Sequence, residues 1–151
     1  MFVRSMFGVP ERAVNMPTYN LFISHAWAYD ERYAGICRLL DSVPNFVWRD
    51  YSAPRDYPVV DAGSVVGRNK LRALLRERVR ISSCFILVAG MFVNHREWVQ
   101  AEIQFAQEYG KPILGVMRRA QQRTPEAVYQ VADKIVAWNS MSIANGVREL
   151  C

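Results

Sequence analysis

Cys84-Phe85-Ile86-Leu87-Val88-Ala89 is continuously apolar, stops at Gly90, and is followed by a helical pattern from His95 to Tyr109. A run this short and this apolar, closed by a glycine, reads as a strand buried on both faces, which is the habit of parallel sheets. The rest of the chain repeats the alternation. Upstream, Tyr19-Asn-Leu-Phe-Ile-Ser24 is a strand, Tyr29 to Leu40 carries Tyr33, Ile36, Cys37 and Leu40 at helical spacing, and Asn45-Phe-Val-Trp48 is a second short strand. A polar, proline-bearing loop, Arg49 to Asp61, leads to a helix over Val65 to Arg80, with Leu71, Leu74, Leu75 and Val79 on one stripe. Downstream, Pro112 to Met117 and Lys134 to Trp138 are strands, and Pro125 to Ala132 and Ser142 to Leu150 are helices. Five strands joined by short helical crossovers predict an α/β fold of three layers (α/β/α). The economical version is flavodoxin-like, a five-stranded parallel sheet in the order 2-1-3-4-5.

The length of 151 residues suits one domain. Residues 1–18 lack a sustained period and read as an N-terminal extension, and residues 19–151 as the domain. A hydrophobic share of 51% with 22% charged residues excludes a disordered chain or a coiled coil. No segment reaches the ~20 apolar residues of a membrane span, and the first residues lack a signal-peptide core. Cys37, Cys84 and Cys151 are an odd, widely spaced set without a CxxC pair, so neither a disulfide framework nor a metal site is expected. These features predict a cytoplasmic protein with no membrane association. The net charge of +5 permits an anionic partner without demanding one. Arg68, Lys70, Arg72, Arg76, Arg78 and Arg80 crowd the second helix and read as a solvated face. No nucleic-acid motif accompanies them, and the aromatics are not interleaved, so nucleic acid is not an expected partner.

In such a sheet, ligands bind beyond the carboxyl ends of the strands at the switch point, between strands one and three. The segments there are Ser24-His-Ala-Trp-Ala-Tyr-Asp30 and Gly90-Met-Phe-Val-Asn-His95, with Tyr51, Ser52 and Asp56 able to fold over the same edge. Neither segment is a dinucleotide fingerprint or a phosphate loop. Ser24 has no base arranged as in a triad. The third helix is more informative. Asn94 can cap it, Glu97 can return the bond, and Val93 with Trp98 can staple it; His95 is then its first helical residue. With Trp98 at zero, about 100° per residue puts Phe105, Tyr109, Ala106, Val99 and Ile103 on one arc, and Glu102 at about 40° falls inside it. The other polar residues lie opposite. An unpaired carboxylate among apolar neighbours costs several kcal/mol. Glu102 is therefore either satisfied by an arginine or backbone amide, or aimed into the cleft between strands one and three.

Phe22-Ile-Ser-His25, Phe85-Ile-Leu-Val-Ala-Gly90, and Trp98-Val-Gln-Ala-Glu102-Ile103 followed by Gly110-Lys-Pro-Ile113 together resemble TIR domains. The resemblance is strongest to the bacterial TIR-like branch that includes the ThsB proteins of Thoeris anti-phage systems, and it spans residues from about Tyr19 to Leu150. It implies cleavage of the nicotinamide glycosidic bond of NAD+, with NAD+ as substrate rather than resident cofactor. It further implies a cyclic or conjugated ADP-ribose messenger that activates a separate effector, and self-association. The family's catalytic glutamate maps onto Glu102. Phe22, Ser24, His25, Ala26 and Trp27 would form a wall of the nucleotide site, Trp98 would support the carboxylate, and Asn94 would be a polar contact. The loop after strand two lacks the signature of eukaryotic and plant members. That leaves two other readings open, a TIR-like adaptor without catalysis and a nucleoside deoxyribosyltransferase-like enzyme.

Overall fold

The computed structural model describes residues 16–24, 31–52, 64–89, 96–118 and 126–151. Its elements are β1 Thr18–Ile23, α1 Glu31–Asp41, β2 Val47–Asp50, α2 Val65–Ile81, β3 Cys84–Val88, α3 Arg96–Glu108, β4 Ile113–Met117, α4 Glu126–Val131, β5 Lys134–Ala137 and α5 Ser140–Leu150. All strand pairs are parallel and the order is β2-β1-β3-β4-β5. The expected flavodoxin-like α/β fold is the one observed. β1 starts at Thr18, one residue earlier than the sequence pattern suggested, because Thr18 still pairs with Val47.

Register decides which residues share a face. Phe22 pairs with Phe85, Phe85 with Ile113, and Leu87 with Gly115. Alternation then puts this set on one side and Leu21, Ile23, Cys84, Ile86 and Leu114 on the other. A Cβ at Gly115 would meet Val128 and Ala132 at 3.2 and 3.3 Å, so α4 covers the first side. Gly146 of α5 abuts Leu114 on the second. Right-handed crossovers place α2 and α3 with α4, and α1 with α5. All five residues of β3 are buried, whereas of the edge strands β2 is largely exposed and β5 half-buried. Phe22 and Phe85 stack at 5.3 Å in the core of the first side.

Helix ends are written locally. Ser64 caps α2, its side chain accepting from the Gly67 amide at 3.0 Å. α3 stops where Gly110 takes φ 64°, with its amide bonded to the Gln107 carbonyl and that of Lys111 to the Ala106 carbonyl. That pair of bonds is a Schellman closure, and the left-handed φ it needs is one that glycine adopts without a Cβ clash.

The cysteines depart from expectation. Cys84 and Cys151 form a disulfide across 67 residues, with Cα atoms 5.9 Å apart, while Cys37 remains free. Cys84 opens β3 on the α5 side, and α5 runs back along that side until its cap, Cys151, reaches the edge where β3 begins. Linear spacing carries no trace of that meeting.

Candidate active site

The carboxyl edge of β1 is closed by two buried serines. The Ser24 amide bonds to the Ile86 carbonyl at 2.9 Å, and its hydroxyl accepts from the Val88 amide at 3.3 Å, which ties the end of β1 to β3. On the other side, the Ser52 hydroxyl accepts from the Ile23 amide at 2.8 Å, and the Tyr51 amide bonds to the Leu21 carbonyl at 2.8 Å. Tyr51 and Ser52 thus continue the β2 ladder along the last residues of β1. Both hydroxyls hold the strand ends together. Asp50, at the end of β2, accepts from the Ser52 amide at 2.9 Å and from the Tyr33 hydroxyl. Burial, and then the bond to Asp50, push the Tyr33 hydroxyl well above the usual phenol range.

α3 descends from this edge over the first side of the sheet. Val99, Ala101, Ile103, Phe105 and Ala106 are buried along it, and Glu102 is 0% exposed among them. Among the described residues Glu102 is the one buried charged side chain. The helical wheel had put it on that arc; the tertiary structure buries it completely. Glu102 lies six residues into α3, so the helix carries it about 9 Å from its start. Trp98, one turn earlier, is half-buried.

Lys70, Arg72, Arg76 and Arg80 of α2 are exposed, as a solvated face requires, but three of the arginines also reach across to α3, which the sequence reading did not anticipate. Arg68 pairs with Glu97 and lies over the Trp98 ring, 5.2 Å from its centroid. Arg76 lies 5.0 Å over Phe105 and pairs with Glu108 at 3.1 Å; Arg72 reaches the same ring at 6.0 Å. Their spacing of four residues places them on one stripe, and that stripe faces α3. The spacing was visible in the sequence, but the aromatic and acidic partners belong to another helix.

Of the residues proposed for the site, Glu102 and Trp98 occupy neighbouring turns of α3, and Ser24 sits at the junction of β1 and β3. Phe22 is a core residue whose ring is stacked on Phe85 and, like Glu102, fully enclosed. His25, Ala26, Trp27 and Asn94 lie outside the described residues, as do Val93, His95 and Asp56. A cleft of about 430 Å³ at the ends of β4 and β5, lined by Met117, Arg118, Trp138 and Asn139, is separate from Glu102.

Comparison with known proteins agrees with this architecture. A Clostridium botulinum CMP N-glycosidase, BcmB, superposes with a TM-score of 0.50 at 12% identity, covering 85% of this chain and 98% of the other. A conserved protein from Enterococcus faecalis V583 superposes with a TM-score of 0.59 at 9% identity, covering 88% and 99%. At such identities the likeness establishes the fold alone. No curated protein matches in sequence. Residues 22–123 match the family model of the Thoeris protein ThsB, TIR-like domain, a span that holds the end of β1, the whole of β3 and α3, and the buried Glu102. With well over half of its length matched, this chain belongs to the ThsB TIR-like domain family.

Proposed function

We propose that this TIR-like domain cleaves the bond between ribose and nicotinamide in NAD+ and passes the ADP-ribosyl part into a cyclic or conjugated messenger that activates a separate effector. The observation that carries the reading is the complete burial of Glu102, the one buried charged side chain among the described residues, on the helix that follows β3. Membership of the ThsB family supports it, as does the fold shared with a protein described as a CMP N-glycosidase.

The chemistry suits one carboxylate. When the glycosidic bond of NAD+ breaks, both bonding electrons go to the pyridine nitrogen, which loses its positive charge and leaves as neutral nicotinamide. No proton donor is needed for that departure. The positive charge appears instead at the ribosyl carbon, as an oxocarbenium-like centre, and a fixed carboxylate in a dry site stabilises it. Glu102 fills that role, and Trp98 one turn above it supports the ribosyl end. A nucleophile within the same molecule, one on a second acceptor molecule, or water then adds to the ribosyl carbon and releases its proton to solvent, giving the cyclic product, the conjugate or free ADP-ribose. Ser24 and Ser52 keep the ends of β1, β2 and β3 in register while this happens. In the cell the reading calls for self-association and for an effector reached through the diffusible product.

The full chain is incubated with NAD+ and, in parallel, with CMP, and free nicotinamide, free cytosine and the nucleotide products are followed by mass spectrometry. Nicotinamide release that falls about 10²-fold or more in Glu102→Gln is the expected result. Release of cytosine alone would move the substrate to a nucleoside monophosphate. Unchanged NAD+ turnover in Glu102→Gln would remove the catalytic assignment, and an inactive wild type that still self-associates would favour the adaptor reading.

A further inference from the structure

The contacts between α2 and α3 bracket the catalytic turn. On α3, Trp98, Glu102 and Phe105 share a stripe at spacings of four and three residues. Each aromatic flank of Glu102 is covered by a guanidinium from α2: Trp98 by Arg68 at 5.2 Å and Phe105 by Arg76 at 5.0 Å. Each of those guanidiniums is anchored a second time on α3, Arg68 by Glu97 and Arg76 by Glu108. The two attachments are eight residues apart on α2 and about a dozen ångströms apart along the helix axis. They hold α3 above and below Glu102.

We infer that Arg68 and Arg76 are positioning residues for Glu102. This rests on the function proposed above. Arg72 reaches the Phe105 ring as well, at 6.0 Å, whereas Arg80 pairs with Glu77 on its own helix through two bonds of 2.8 and 2.6 Å. It carries the same charge, and both of these bonds stay within α2. The pairs themselves are partly exposed, with Arg68 and Arg76 side chains 40% and 49% accessible, so they contribute little to global stability. A carboxylate that must face a transient charge is far more demanding, since a displacement of about 1 Å can cost about 10²-fold in rate. An arrangement that is weak for folding and strict for geometry separates the two effects experimentally.

The full chain is assayed with NAD+ as Arg68→Gln, Arg76→Gln, Arg68→Lys, Arg76→Lys and Arg80→Gln, with melting followed by circular dichroism. Both glutamine variants are expected to lose about tenfold in kcat, with KM within about twofold and melting within a few degrees of wild type. The lysine variants keep a cation over each ring and within reach of each acid, and are expected to recover most of the loss. Arg80→Gln is expected to match wild type. An active wild type whose kcat is unmoved in the glutamine variants overturns this inference alone. A kcat loss equal in Arg80→Gln, unrescued by lysine, or explained by the unfolded fraction also overturns it. A wild type that releases no nicotinamide overturns the functional reading and this inference with it.

Discussion

Replacing Glu102 with leucine separates an acid kept for chemistry from an acid kept for the fold. The side chain is 0% exposed, and Val99, Ile103, Phe105 and Ala106 on its own helix are buried with it. Leucine and glutamate have similar helix propensities, so the backbone is indifferent to the exchange. A fully buried leucine is worth about 1.5–3 kcal/mol relative to exposure, and removing the carboxylate lifts a desolvation cost of several kcal/mol. Against this stand the polar contacts that the acid makes and the branched shape of the new side chain, worth about 1–3 kcal/mol together. The balance is a gain of about 2 kcal/mol, or about 4–8 °C in Tm for a domain of this size. Chemical and thermal melts of wild type, Glu102→Gln and Glu102→Leu measure it, with NAD+ turnover recorded on the same samples. The expected pattern is a more stable and inactive leucine variant, the usual trade between stability and a functional group. A loss of about 3–5 kcal/mol would refute the reasoning, because it is the signature of breaking a structural buried pair.

Three further outcomes follow from the fold. Cys151→Ser opens a loop of 67 residues, and loop entropy predicts a loss of about 4 kcal/mol, matched by reductant in wild type; maleimide labelling that finds three reactive thiols in the untreated protein would refute it. Gly35→Ala would bring a Cβ within 2.5 Å of the Trp138 ring, a rigid neighbour, so overpacking outweighs the helix gain and melts should show a net loss of about 1 kcal/mol. Burial pushes the Cys37 thiol up to about 11 from its ordinary 9.0, and raises the Tyr33 hydroxyl as well. The folded chain therefore holds protons that the unfolded chain has released, so stability is full below pH 9.0 and declines towards about pH 11. Urea melts across that window test this. A slope unaltered by Cys37→Ala and Tyr33→Phe would contradict it.

The element order was written in local patterns. The apolar run from Cys84 to Val88, the alternation with amphipathic stretches, and the crossover rule together specify the strand order, since few topologies bury five such strands and keep right-handed connections. Glu102 was legible for the same reason: a helix repeats every 3.6 residues, so one acid on an apolar arc is visible without a partner helix. What local periodicity cannot express is which face of one element meets which face of another. The meeting of Cys84 with Cys151, the serine bridges at the end of β1, and the arginines of α2 on the aromatics of α3 all join residues 29 to 67 positions apart or on separate elements. Their physical origin is the packing of helices onto a registered sheet. The sequence alone therefore determined the sheet, its switch point and the identity of the acid, while only the tertiary structure decided that the acid is fully enclosed and which side chains hold its helix in place.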